Sequence, residues 1–218
     1  MSETTLYRRS ALAGLLASAV LVVNVLRRDG ALPTDAVTHA VAPLAPVLAL
    51  FAVTGLYLWV REATGLVGLL GYVLSTAGFA GAVGSEVVVQ FVFANMPKAQ
   101  VDGLVAGPSR PALVVIAVVF TLGAVLLGAA LARSGQAPTA AAVGYLVTMA
   151  VFAWRSALPE WIVTVDGVLS AVIVARLSLA LRHAFPIGTG EQESSRDEPP
   201  RPATDPHPVG PPGRPGPL

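Results

Sequence analysis

With 54% hydrophobic and 12% charged side chains in 218 residues, the chain has far less charge than the roughly 25% of an ordinary soluble domain. It carries more apolar surface than a soluble fold can cover. The net charge of +1 supplies no basic face for nucleic acid, and the absence of cysteine excludes disulfides, thiolate metal sites and cysteine nucleophiles.

Apolar runs near 20 residues recur along the chain, each long enough to cross a hydrocarbon core of ~30 Å. They are rich in Ala, Leu and Gly and lack the alternation of a membrane barrel, so helices are expected. The predicted fold is all-α: a polytopic membrane bundle of six transmembrane helices over about 10–26, 36–60, 65–94, 111–131, 138–156 and 159–182. A cytoplasmic N-terminus (1–8) precedes it and a disordered Pro-rich tail (186–218) follows.

The first run, Ser10 to Leu26, follows Arg8 and Arg9. Ala17-Ser18-Ala19 resembles a signal-peptide cleavage site, but the apolar run continues through Val25 and more such runs follow, which favours an uncleaved helix. The Arg pair reads as a cytoplasmic anchor rather than a twin-arginine export signal. Asn24 sits near the Arg27-Arg28 end, and Gly30 and Pro33 then break the chain.

The second helix carries Pro43 and Pro46 in its first half, with His39 one turn earlier. Prolines inside a membrane helix leave carbonyls without their usual donors, which neighbours or water must re-satisfy. Tyr57 and Trp59 are interface anchors at the far end, and a tight turn is expected at Arg61-Glu62. The third run, 65–94, exceeds an untilted span of about 20 residues. Gly71, Ser75, Gly78 and Ala82 give it a small-residue face for close packing, within the monomer or between copies. Beyond that face, Glu86 and Gln90 are one turn apart.

Asn95 to Arg110 reads as a polar connection with room for an interfacial turn. The fourth helix opens with Pro111, where the missing N–H does no harm, and ends at Arg133-Ser134-Gly135. Pro138 begins the fifth. The segment Phe120 to Leu146, a glycine-spaced helix, an Arg-Ser-Gly-x-x-Pro turn and a following helix, resembles small bacterial multi-pass membrane proteins of uncharacterised activity. That resemblance implies a bacterial plasma-membrane protein and carries no activity with it.

The sixth helix closes with Arg182 and His183, cations that complement the C-terminal end of its dipole. From Pro186 the chain holds ten of its eighteen prolines, a composition that cannot bury a core. Six helices put both termini on one side. With that side cytoplasmic, Arg8, Arg9, Arg61, Arg133, Arg182 and Arg196 stand against Arg27, Arg28, Lys98, Arg110 and Arg155 outside.

In either orientation, Asn24, His39, Glu86, Gln90, Arg155, Glu160 and Asp166 share one end of the bundle, and they form the candidate polar cluster. An ionised group at a helix centre costs roughly 2.5 to 3.5 kcal/mol on insertion scales. Asp166, ~10 Å along its helix from Pro159, therefore wants a counter-ion, with Arg155 the first candidate and His39 and the Glu86–Gln90 pair next. The plainer reading is that Arg155 and Glu160 flank a hairpin at headgroup level, with Asn24 and His39 as packing residues.

The expected function is a sensor, accessory or binding module with an outward-facing polar pocket. The alternative is a small-solute or proton-coupled transporter. An intramembrane enzyme has little support, because no HExxH, GxSxG or P-loop pattern occurs. No catalytic residue, metal or cofactor is assigned. The expected partners are the lipid bilayer and a second copy or another membrane protein.

Overall fold

The computed structural model describes residues 3–33, 35–107 and 109–186. The expected disordered tail lies, beyond Pro186, outside the described residues. Among those residues the chain is all-α, with no strand, within one compact unit, Met1–Phe185.

Helix α1 (Glu3–Arg28) starts two turns earlier than the apolar run, with Glu3 in its first turn and Arg27 and Arg28 in its last, each favourable to the dipole. Helix α2 (Ala36–Val41) is started by a capping box. The Asp35 carboxylate accepts the Thr38 backbone N–H at 2.9 Å, and Thr38 Oγ1 accepts the Asp35 N–H at 3.0 Å. A two-residue step at Ala42–Pro43 then separates α2 from α3 (Leu44–Val87), so the helix expected over 36–60 is broken near its start. The cause is proline chemistry: Pro43 and Pro46 have no N–H to give the carbonyls of His39 and Ala42.

The turn expected at Arg61-Glu62 is absent, since both residues are helical. The chain reverses instead at Gly65, whose φ of 52° and ψ of −134° suit only a residue without Cβ. Its two legs run side by side. Tyr57 stacks on Tyr72 at 4.7 Å and Thr54 Oγ1 lies 3.3 Å from the Tyr72 hydroxyl, whereas positions 54 and 72 of a straight helix would be ~27 Å apart.

The second leg is α-helical only to Val87 and finishes in a π turn (Val88–Val92) and a 3-10 turn (Phe93–Asn95). Within the expected polar connection lies a further helix, α4 (Lys98–Ala106), none of whose residues is buried. Helix α5 (Arg110–Ser134) ends on Gly135 in the left-handed region, as the Arg-Ser-Gly turn requires. Helix α6 (Thr139–Ala153), a 3-10 turn (Arg155–Ala157) and α7 (Glu160–Ala184) complete the unit.

Neighbouring rods pack as a closed ring: α1 on α3, the second leg of α3 on α5, α5 on α6, α6 on α7, and α7 back on α1. The most deeply buried large side chains, Tyr145, Leu127, Leu131, Leu177, Leu181 and Val60, occupy the half of the ring nearer Gly65. Buried Glu86, Gln90 and Asp166 occupy the other half. Outward, apolar side chains such as Phe51, Leu66, Val115 and Val172 are exposed all round. Four apolar stretches reach membrane-crossing length, Glu3–Arg28, Val37–Asn95, Arg110–Ser134 and Glu160–Ala184, while Thr139–Ala153 is shorter.

Candidate functional site at the polar end of the bundle

Glu86, in the last turn of α3, is the centre of the site. One carboxylate oxygen pairs with Arg155 Nη2 from the 3-10 turn before α7, and the other accepts the Gln90 Nε2–H at 3.3 Å. Gln90 sits on the π turn, a distortion found often at functional sites. Its Oε1 accepts from Arg27 Nη1 at 3.1 Å and from His39 Nδ1 at 2.7 Å. The carboxylate on one side and the guanidinium on the other fix the amide orientation, so His39 carries its proton on Nδ1.

Arg27 also donates to the Thr38 carbonyl at 3.4 Å, and the Arg155 guanidinium lies 4.5 Å from the centroid of the Phe152 ring. One connected network thus ties α1, α2, α3, the π turn and the turn before α7. The Arg155 side chain is 29% exposed and that of Glu86 11%, so the network reaches solvent. Among the described residues Arg27 forms no ion pair, while Arg155 pairs with Glu86, so within this network two guanidiniums meet one carboxylate.

The expected Arg155–Asp166 pair does not form. The 3-10 turn aims Arg155 at the end of α3, whereas Asp166 lies more than a turn deeper on α7, buried at 6% exposure. Among the described residues no hydrogen bond or ion pair reaches its carboxylate. Glu160 stands at the rim, its side chain 89% exposed and 3.8 Å from Arg28. Asn24 faces the proline step and donates from Nδ2 to the Ala42 carbonyl at 3.4 Å, the acceptor that Pro46 leaves without a helical partner. The mouth between α1 and α7 forms a cleft of about 320 Å³ lined by Arg28, Asp29, Glu160, Trp161, Thr164 and Val165, which reaches neither Glu86 nor Asp166.

Arg27 is the member that sequence reasoning passed over, because a helix-ending Arg pair looks like a plain anchor. The available signal was its spacing: Arg27 follows Asn24 by three residues and shares its face. The small-residue face packs inside the chain against α5. A Cβ on Gly71 would lie 2.5 Å from Leu127 N, one on Gly78 would meet Phe120, and Ser75 opposes Gly123. Ala82 is buried on the same leg. Among the described residues no three His, Asp or Glu side chains group to hold a metal ion. No protein-family model, no curated protein and no solved structure matches the chain, so the reading of this site rests on its geometry.

Proposed function

We propose that the protein is an integral membrane protein of six spans, the two legs of α3 counting separately, whose polar end is a binding or sensing site open to the outer aqueous phase. The carrying observation is the network itself. Two guanidiniums, an imidazole, an amide and a carboxylate from five segments are ordered at one mouth, with one cation in excess. That excess suits a small solute bearing a carboxylate or phosphate, met by Arg27 through a charge-assisted hydrogen bond. A ligand gripping Arg27 competes for Gln90 and alters the hold on α2, which is how occupancy would be reported to a partner.

Trp154 and Trp161 flank this mouth, so a Trp59→Phe variant reports from that end alone. Titrating it in detergent with succinate, citrate and inorganic phosphate should give a saturable fluorescence change with at least one of them, and Arg27→Gln should remove it. No saturable response to any, or a response indifferent to Arg27→Gln, rejects the binding reading. Orientation is tested separately. The cysteine-free chain accepts single cysteines, and a membrane-impermeant maleimide on intact cells should label one replacing Glu160 and spare one replacing Glu62.

A second reading, a cation-coupled transporter, is favoured by the broken entry to α3. Discontinuous membrane helices with freed carbonyls commonly line ion sites.

A further inference from the structure

Beneath the Glu86 network, α1 and α7 carry three side chains whose oxygens it does not use. Asp166 is buried with no partner among the described residues. Ser170, one turn along the same face of α7, is fully buried, and its Oγ makes no hydrogen bond even to the helix backbone. Asn24 Oδ1 on α1 is likewise buried and unpaired.

The register of α1 against α7 sets these three at adjoining levels. Ser18 Oγ donates to the Ala171 carbonyl at 2.6 Å, a Cβ on Gly167 would lie 2.5 Å from Val25, and Thr164 Oγ1 donates to Asp29 Oδ1 at 3.1 Å. Asn24 and Asp166 adjoin the Val25–Gly167 contact on the two helices, and Ser170 comes next below. Asn24 commits its amino group to the Ala42 carbonyl, which leaves its oxygen as the unused acceptor.

Every group offered here is an oxygen acceptor except the Ser170 hydroxyl, which both donates and accepts. The charge is a single negative one, since among the described residues no arginine, lysine or histidine forms an ion pair with Asp166. Buried acceptors without donors are costly, and an unpaired carboxylate more so. A divalent ion would leave net positive charge in the bundle, whereas one monovalent ion neutralises it.

We propose that Asp166, Asn24 Oδ1 and Ser170 Oγ bind a small monovalent inorganic cation of the sodium class. Hard cations take such oxygen-only sets. The proposal stands apart from the anion site, since it uses neither Glu86 nor Arg27.

The test is the melting temperature of the full chain in detergent as sodium chloride replaces choline chloride at constant ionic strength and fixed pH. A saturable rise is expected, following the linkage of ligand to stability. Asp166→Asn should abolish the rise and Ser170→Ala, a small change that leaves the fold intact, should raise the half-saturating sodium concentration roughly tenfold. Glu62→Gln, at the opposite end, should leave it unchanged. Equal melting in sodium, potassium and choline overturns the proposal, as does a sodium response that survives Ser170→Ala unaltered. A melting temperature that follows pH and ignores sodium also overturns it and assigns Asp166 a proton instead. The fluorescence response to anions is read independently, so failure of either site leaves the other standing.

Discussion

Arg155 pairs with Glu86 across the mouth of the bundle, joining the turn before α7 to the end of α3. Because Glu86 is buried, removing Arg155 leaves a carboxylate short of a partner, and Arg155→Ala should destabilise the protein by roughly 1 to 3 kcal/mol. Arg155→Ala with Glu86→Gln should recover part of that loss. Chemical denaturation in detergent measures the cycle, and strictly additive losses would show that the pair is not coupled.

Asn24 serves a carbonyl that Pro46 leaves bare. Asn24→Leu should therefore cost about 0.5 to 1.5 kcal/mol, the scale of interhelical hydrogen bonds in membranes. Pro46→Ala restores a helical N–H to the Ala42 carbonyl, so Asn24→Leu should cost less in that background. An equal cost in both backgrounds would mean that Asn24 acts through packing alone.

The polar end was legible in the sequence as a set of residues, and the partners within it were not. Helix order alone puts Glu86, Arg155 and Asp166 at one end. Whether Arg155 meets Glu86 or Asp166 depends on the 3-10 turn that aims it, a local geometry with no period to read. The reversal at Gly65 rather than Arg61-Glu62 has a similar cause. Charged residues mark where the chain can meet water, but only a residue without Cβ can take the backbone through that turn. The need for a donor beside the prolines, by contrast, followed directly from their missing N–H, although the expected helix was continuous and the structure breaks it.

The small residues of α3 make a graded prediction. Gly71→Ala puts a methyl against the Leu127 backbone, which cannot yield as a flexible side chain would, and should cost about 1 to 3 kcal/mol through overpacking. Gly123→Ala, against the Ser75 backbone, should behave alike. Gly84 has open space around it, and Gly84→Ala should be neutral or stabilising by up to about 1 kcal/mol through helix propensity. Melting temperatures of the three variants, with the Gly84 variant falling furthest, would contradict the α3–α5 packing.

Asp35 sets a pH limit on the start of α2. The backbone N–H of Thr38 holds its carboxyl below the ordinary value of 3.8, outweighing an opposing desolvation effect, with further help from the Thr38 hydroxyl and other backbone donors. Because the folded value is depressed, the cap's contribution is fully present above the unfolded pKa and is lost as pH falls through the folded one. Protonation weakens the acceptor for Thr38, so α2 should fray at acid pH while the rest of the bundle holds. Amide exchange within 36–41, corrected for the intrinsic pH dependence of exchange, should rise below about pH 4. In Asp35→Asn, whose side chain still caps but does not titrate, that rise should vanish. A rise of equal size in Asp35→Asn would place the acid sensitivity elsewhere.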